Sequence, residues 1–335
     1  MKLLGRNQYC IWFSDRCNYR CTYCTNHASP EAPRSALEAN TKALIDVFGR
    51  VKPGVVMLSG GEPFLWKDFP VILEALPQHQ WICLTNLSFL PRWVDHPNIK
   101  LFIPAYHEEF ASEERFTANL AELHARGRRI HVKLIVKPGR EWEQIPLWEK
   151  WNGMGVLTSL VPLEWKARFS PSFLADVVEK YRTCSLYNSR FFRLDSPPDT
   201  PCVAGTEESF QINADGRIVR CSSIFDQTGD DGSGSIWNPV FDGKPRRCTA
   251  PGSCLCEWHH WGAMALTNDN PTWTRFIETG EWNRPTAEEL FQFVLDMGWD
   301  PAGRNDRGRR ESVFEPLGRS AGGRVHLPVL SNLTR

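Results

Sequence analysis

The chain has no excess of charge of either sign: 39 lysines and arginines face 39 aspartates and glutamates. That balance removes the usual electrostatic reason to expect a nucleic acid or an anionic membrane surface as partner. The basic runs at 126–129 and 304–310 are short and read as solvated surface. Long apolar runs are missing as well. No stretch approaches the ~18 apolar residues that a membrane span needs. The charged start, Met1 to Arg6, leads into a short strand-like run interrupted by Asp15 and Arg16, not into the apolar core of a signal peptide. Neither a membrane protein nor a secreted one is expected, and the sequence reads as cytoplasmic.

In a reducing compartment, clustered cysteines more often bind metal or do chemistry than form disulfides. The chain has 11 cysteines, and the odd number argues against a fully paired framework. The 14 tryptophans read mainly as core and rim packing, since indoles bury large areas.

The first half alternates strand-like and helix-like segments. Strands are expected at Tyr9 to Phe13, Val55 to Leu58, Trp81 to Leu84, Lys100 to Ala105, Ile130 to Val136 and Val156 to Val161. Between them lie helical patterns at Ser35 to Phe48, Asp68 to Leu76, Ser112 to Arg126 and Glu141 to Trp151. Such alternation predicts an α/β fold, a partial (β/α)6 TIM-like barrel, with functional loops at the carboxyl ends of its strands. From about Pro171 the pattern changes. Ser209 to Arg220 reads as a β-hairpin around Asp215-Gly216. A smaller C-terminal hairpin and helix domain is expected, giving residues 1–170 as core, 171–265 as second domain and 266–335 as a helix with a poorly ordered tail.

Cys17, Cys21 and Cys24 stand in C-x3-C-x2-C spacing directly after the first strand. Three thiolates on one loop can wrap one metal centre. A closed zinc or iron–sulfur site takes four protein ligands, so three leave a position open. A zinc site completed by His27 is the competing reading. One strand later comes Ser59-Gly60-Gly61-Glu62-Pro63, in which glycines permit close backbone approach and Glu62 adds a negative charge. Together the two motifs resemble those of radical S-adenosylmethionine (SAM) enzymes. The resemblance implies a four-iron, four-sulfur cluster on Cys17, Cys21 and Cys24, with SAM on the open iron. It also implies Tyr23 as the aromatic residue before the third cysteine, and Ser59 to Pro63 as the contact to the SAM amino group. Thr85-Asn86 and Tyr106-His107 follow strands three and four, where the family often contacts ribose or substrate. Asn86 is taken as a cofactor contact and His107 as a catalytic candidate. Lys133 and Lys137 could also reach the mouth.

A second set, Cys202, Cys221, Cys248, Cys254 and Cys256, flanks and follows the hairpin. It resembles the auxiliary-cluster region of the same enzymes in its one-cluster form, called twitch. The two-cluster form, called SPASM, has seven cysteines there. A second four-iron cluster is the expectation, with a structural zinc site as the alternative.

The resemblance implies cleavage of SAM to a 5′-deoxyadenosyl radical and abstraction of a substrate hydrogen atom. An electron donor such as flavodoxin or ferredoxin is implied too. Oxidation, dehydrogenation or epimerisation of a small, carbohydrate-like molecule is the first expectation, because strand one begins too early to leave room for a leader-binding domain. Modification of a ribosomally made peptide is the second. A non-catalytic iron–sulfur or zinc protein is the remote third. For epimerisation a thiol must return a hydrogen atom. Cys184 is the candidate, with Cys248, Cys83 and Cys10 behind it.

Overall fold

The computed structural model describes residues 7–24, 27–137, 140–162, 201–202, 204–220, 234–241 and 246–247. Six strands run in sequence through the first half: β1 (Gln8–Trp12), β2 (Val55–Ser59), β3 (Gln80–Thr85), β4 (Ile99–Tyr106), β5 (His131–Val136) and β6 (Leu157–Pro162). Each pairs in parallel with the next. Parallel neighbours need crossovers. Four of the five carry α-helices: α1 (Ala36–Ala39) and α2 (Thr41–Phe48), α3 (Phe69–Ala75), α4 (Glu113–Ala125) and α5 (Ile145–Gly153), while β3 reaches β4 through a 3-10 turn at Arg92–Asp95. This is the expected partial (β/α)6 barrel, and all six strands deliver their carboxyl ends to one side.

The helices form where caps and apolar spacing agree. Ser112 caps α4, accepting from the Arg115 amide, and Phe116, Leu120 and Leu123 turn one face inward. Ser35 and Glu38 form a reciprocal capping box on α1. The single helix expected over 35–48 is two, broken at Asn40. Its backbone leaves the helical region while its side chain donates to the Ala36 carbonyl. Such local bonding to the main chain competes with continued helix.

The core is rich in aromatic rings. Phe13, Trp66 and Phe69 stack in series, and Phe69 and Phe64 meet Trp93 edge-on. Trp66, Trp81, Trp148 and Trp151 are fully buried, as expected for core tryptophans. Trp142 and Trp237 are exposed.

The expected hairpin is present as β8 (Ser209–Ile212) and β9 (Ile218–Val219), with Gly216 at φ 85° in its turn. It does not stand apart from the core. β8 lies parallel against β1, so the sheet order is β6-β5-β4-β3-β2-β1-β8-β9 and β1 is interior. The hairpin turn also meets α1, where the Ala214 carbonyl accepts from the Ala36 and Leu37 amides. Two short ladders complete the described strands: β7 (Pro201–Cys202) with β12 (Arg246–Arg247), and β10 (Gly234–Ser235) with β11 (Asn238–Pro239). The expected C-terminal helix, the tail and most of the 171–265 region lie outside the described residues. No helix among the described residues is long and apolar enough to cross a membrane.

Candidate active site

The cysteine loop leaves β1 under tight control. Ser14 and Arg16, the last residues before Cys17, both bind the buried carboxylate of Glu38, at 2.8 and 3.0 Å. The Cys17 amide donates to the Ser29 carbonyl, and the Cys24 amide to that of Cys21. Cys17, Cys21 and Cys24 are unbonded to one another and half-buried. Two N–H groups point at the Cys17 sulfur: the Tyr19 amide at 3.3 Å and the Asn86 side chain at 3.6 Å. Such donors favour an anionic sulfur acceptor. Burial, followed by the charges of Cys17 and Cys24, pushes the Cys21 thiol up to about 12. Three thiolates that repel one another this way fit a cationic metal centre placed among them.

Among the described residues, no three His, Cys, Asp or Glu side chains gather as a single-ion site requires. A zinc ion holds its sulfurs at ~2.3 Å, whereas a cluster gives each thiolate its own iron and leaves them farther apart. His27, the fourth ligand of the zinc reading, is exposed. The donor set fits a cluster better than an ion.

The Ser59 to Pro63 segment packs directly on this loop. The Ser59 carbonyl accepts from the Phe13 amide at 3.0 Å. The Gly61 amide donates to the Ser14 carbonyl at 2.6 Å, and the Glu62 amide to that of Arg16 at 2.9 Å. Gly60 sits at φ 123°, and a Cβ there would lie 2.7 Å from the Ser14 oxygen. A Cβ on Gly61 would overlap the Arg16 carbonyl outright. The protein's own backbone is enough to require glycine at both positions. Pro63 opens a short 3-10 turn, to which Glu62 serves as cap.

Glu62 is completely buried. Its carboxylate accepts from the Phe64 amide (2.9 Å), the Thr85 hydroxyl (2.7 Å) and the Asn86 amide (2.6 Å). Burial pushes its carboxyl up to about 7 against the pull of these three donors. It thus ties the end of β2 to the end of β3.

The end of β4 supplies His107. Its ring stacks on Tyr23 at 5.9 Å, and its Nδ1 lies 3.2 Å from the Tyr23 hydroxyl. Burial pushes the imidazole down to about 4, with Glu109 pulling the other way. Glu109 holds the cysteine loop, accepting from the Thr22 amide and hydroxyl at 2.8 and 2.6 Å. Lys137, just past β5, pairs with Glu108 at 2.5 Å and lies over the Tyr23 ring. Lys133 is part of β5 itself. Tyr106 packs on Phe116 and Trp151 and belongs to the core. Cys10 and Cys83 are buried within strands as small apolar residues.

Cys202 lies on β7, and its side chain falls outside the described residues, as do Cys184, Cys221, Cys248, Cys254 and Cys256. Glu38, Asn18, Ser88 and Glu109 did not stand out in the sequence. Only Glu38 carried a signal there, the Ser35-x-x-Glu38 capping spacing.

Residues 11–150 match the family described as the Radical SAM superfamily. The chain carries a radical SAM domain. A probable GTP 3′,8-cyclase of Methanocella arvoryzae is 31% identical over 76 residues, covering 23% of this chain and 25% of that protein. The chain also resembles solved structures in fold. Streptococcus suis SuiB bound to S-adenosylmethionine matches at TM-score 0.52 and 13% identity, over 70% of this chain and 65% of that one. Native anSMEcpe with bound AdoMet matches at TM-score 0.52 and 13% identity, over 70% and 78%. The chain thus spans about a quarter of the cyclase and just under two thirds of SuiB. At these identities the structural likeness concerns the fold. A four-iron cluster and SAM are the family's cofactors, and the cysteine loop fits the former.

Proposed function

We propose that this protein is a radical SAM enzyme that abstracts a hydrogen atom from its substrate at the mouth formed by the ends of β1 to β5. One observation carries the reading. Three half-buried thiols share one loop whose base, Ser14 and Arg16, accepts from the Gly61 and Glu62 amides, while Asn86, held by Glu62, donates to the Cys17 sulfur. Cys17, Cys21 and Cys24 would hold the cluster, which supplies, when bound, the electron that cleaves SAM to a 5′-deoxyadenosyl radical. An external one-electron donor of the flavodoxin or ferredoxin class would deliver that electron.

The chain's own residues do the positioning. Glu38 fixes Ser14 and Arg16, and so aims the loop. Glu109 clamps Thr22, and the aromatic wall of Tyr23 and His107 shields the site. His107 is proposed as a catalytic residue on this wall, with burial keeping its imidazole neutral at neutral pH. A small molecule remains the first substrate reading. The peptide reading gains support from solved structures of similar fold, SuiB bound to its precursor peptide SuiA and anSMEcpe bound to a peptide. Four of Cys202, Cys221, Cys248, Cys254 and Cys256, with Cys248 as the one to spare, are proposed to supply an auxiliary cluster, and Cys184 to be the hydrogen donor if the outcome is epimerisation.

Anaerobic reconstitution followed by dithionite and SAM tests the central reading. Formation of 5′-deoxyadenosine that is lost in Cys17→Ala, Cys21→Ala and Cys24→Ala is the expected result. Undiminished cleavage in those variants would refute it.

A further inference from the structure

We infer that Asn86 is a positioning residue for the iron bound to Cys17, and that its amide sets the reduction potential of the cluster. The inference rests on the cluster reading above. The Asn86 side chain is buried and its orientation is determined by its neighbours. Its Oδ1 accepts from the Ser88 amide at 3.0 Å, which leaves the NH2 end facing the Cys17 sulfur at 3.6 Å and the Asn18 Oδ1 at 2.9 Å. Turning the amide over would set oxygen against both acceptors and nitrogen against the Ser88 N–H. Asn18 closes the ring by donating to the Ser88 hydroxyl at 2.8 Å. With these bonds made, the amide is directed at the Cys17 sulfur.

The backbone around Asn86 is built to keep it there. Leu87, next in the chain, is buried at φ 52°, a conformation that a branched apolar residue rarely adopts. Such strain persists only where surroundings over-determine it. Here the Leu87 amide donates to the Thr85 hydroxyl at 2.9 Å, and Asn119 of α4 donates to the Leu87 carbonyl at 2.8 Å. The Asn86 amide itself is held by Glu62.

Reduction adds negative charge that is shared by the cluster sulfurs and their thiolates. An N–H donor on a ligating sulfur stabilises that charge, so it raises the potential. The Tyr19 N–H does the same from the main chain and cannot be removed by a side-chain change. Asn86 is the adjustable donor.

The test is potentiometric titration of the reconstituted protein with dithionite, followed by electron paramagnetic resonance of the reduced cluster. Asn86→Leu is expected to load as much iron as the wild type. It should shift the reduction equilibrium at least tenfold toward the oxidised form, about 59 mV for a one-electron couple. Asn86→Asp keeps the shape and the Ser88 bond but turns a carboxylate oxygen to the sulfur. It should shift further in the same direction, and it decides the matter if Asn86→Leu does not fold. Wild-type potentials in a cluster-loaded variant would overturn the inference. Absence of any cluster in the wild type would instead remove the functional reading beneath it.

Discussion

Gly61→Ala is the sharpest perturbation that the site allows. The added methyl would fall on the carbonyl of Arg16 and within 3.1 Å of its nitrogen, against the ~3.5 Å at which carbon contacts become favourable. The obstacle is main chain, not a side chain that can swing away. Residues 14–16 would have to retreat by more than an ångström, carrying Cys17 with them. Two short bonds stretch in the process, Gly61 to Ser14 and Glu62 to Arg16. At about 1 kcal/mol for each bond, plus ~1–3 kcal/mol for overpacking, the loss is on the order of 3–5 kcal/mol. Gly153→Ala is the matched control. It lies at the end of α5 with open space around its Cβ, and should be neutral or stabilising by ~0.4–1 kcal/mol. Denaturant unfolding gives the energies, and iron content after anaerobic reconstitution reports on the loop. Gly61→Ala should lose both stability and iron. Wild-type values for both would refute the claim that backbone contact is what demands glycine here.

The other expectations concern charge and metal. Raising the Glu62 pKa from its ordinary value to about 7 means that the folded protein binds the extra proton between about 4.5 and 7. This group's contribution to stability is therefore full below that window and falls as pH rises through it, by roughly 3 kcal/mol in all. Glu62→Gln should abolish that fall, and an unchanged stability–pH curve would count against it. His107 runs the other way. Its pKa, lowered to about 4, makes its contribution full above the ordinary histidine value and lost as pH falls from about 6.5 toward 4. His107→Asn should flatten that acid limb, and SAM cleavage should show no His107 titration between pH 6 and 8. An inflection near 7 that survives His107→Asn and vanishes in Glu62→Gln would assign it to Glu62. For the C-terminal cysteines, iron content decides. About eight irons per chain, falling to about four in Cys202→Ala or Cys221→Ala, is the expected result, and four in the unaltered protein would remove the auxiliary cluster.

Much of the fold was legible because the six strands are short apolar runs separated by capped or glycine-stopped helices, signals that are local. The cysteine loop was legible for the same reason. Other features depend on tertiary contact. Nothing near Ser209 in the sequence announces that it will lie beside Gln8. The breakage at Asn40 depends on its side chain reaching back to Ala36. The glycines at 60 and 61 were recognisable as points of close backbone approach, but that Ser14 and Arg16 lie against them was not. The sequence marked Glu62 only as a negative charge in a cofactor contact; that its oxygens hold residues 64, 85 and 86 together is visible only in the fold. Asn18 and Ser88 had no signal at all, since their role exists only once β1 and β3 lie close.

The placement of β8 beside β1 has a consequence for how the protein is made. β1 is synthesised about 200 residues ahead of its partner β8, some 10–40 s at ordinary synthesis rates. For that interval β1 presents an open edge, the feature of a sheet most prone to wrong pairing. Tyr9 shows the same delay. Its hydroxyl lies 2.9 Å from the carbonyls of both Lys52 and Glu207, so one contact is available early and the other only late. The nascent chain therefore reaches its cysteine loop well before the sheet that supports it is complete. Until β8 arrives, the strand that leads into the cysteine loop is flanked on one side only, by β2.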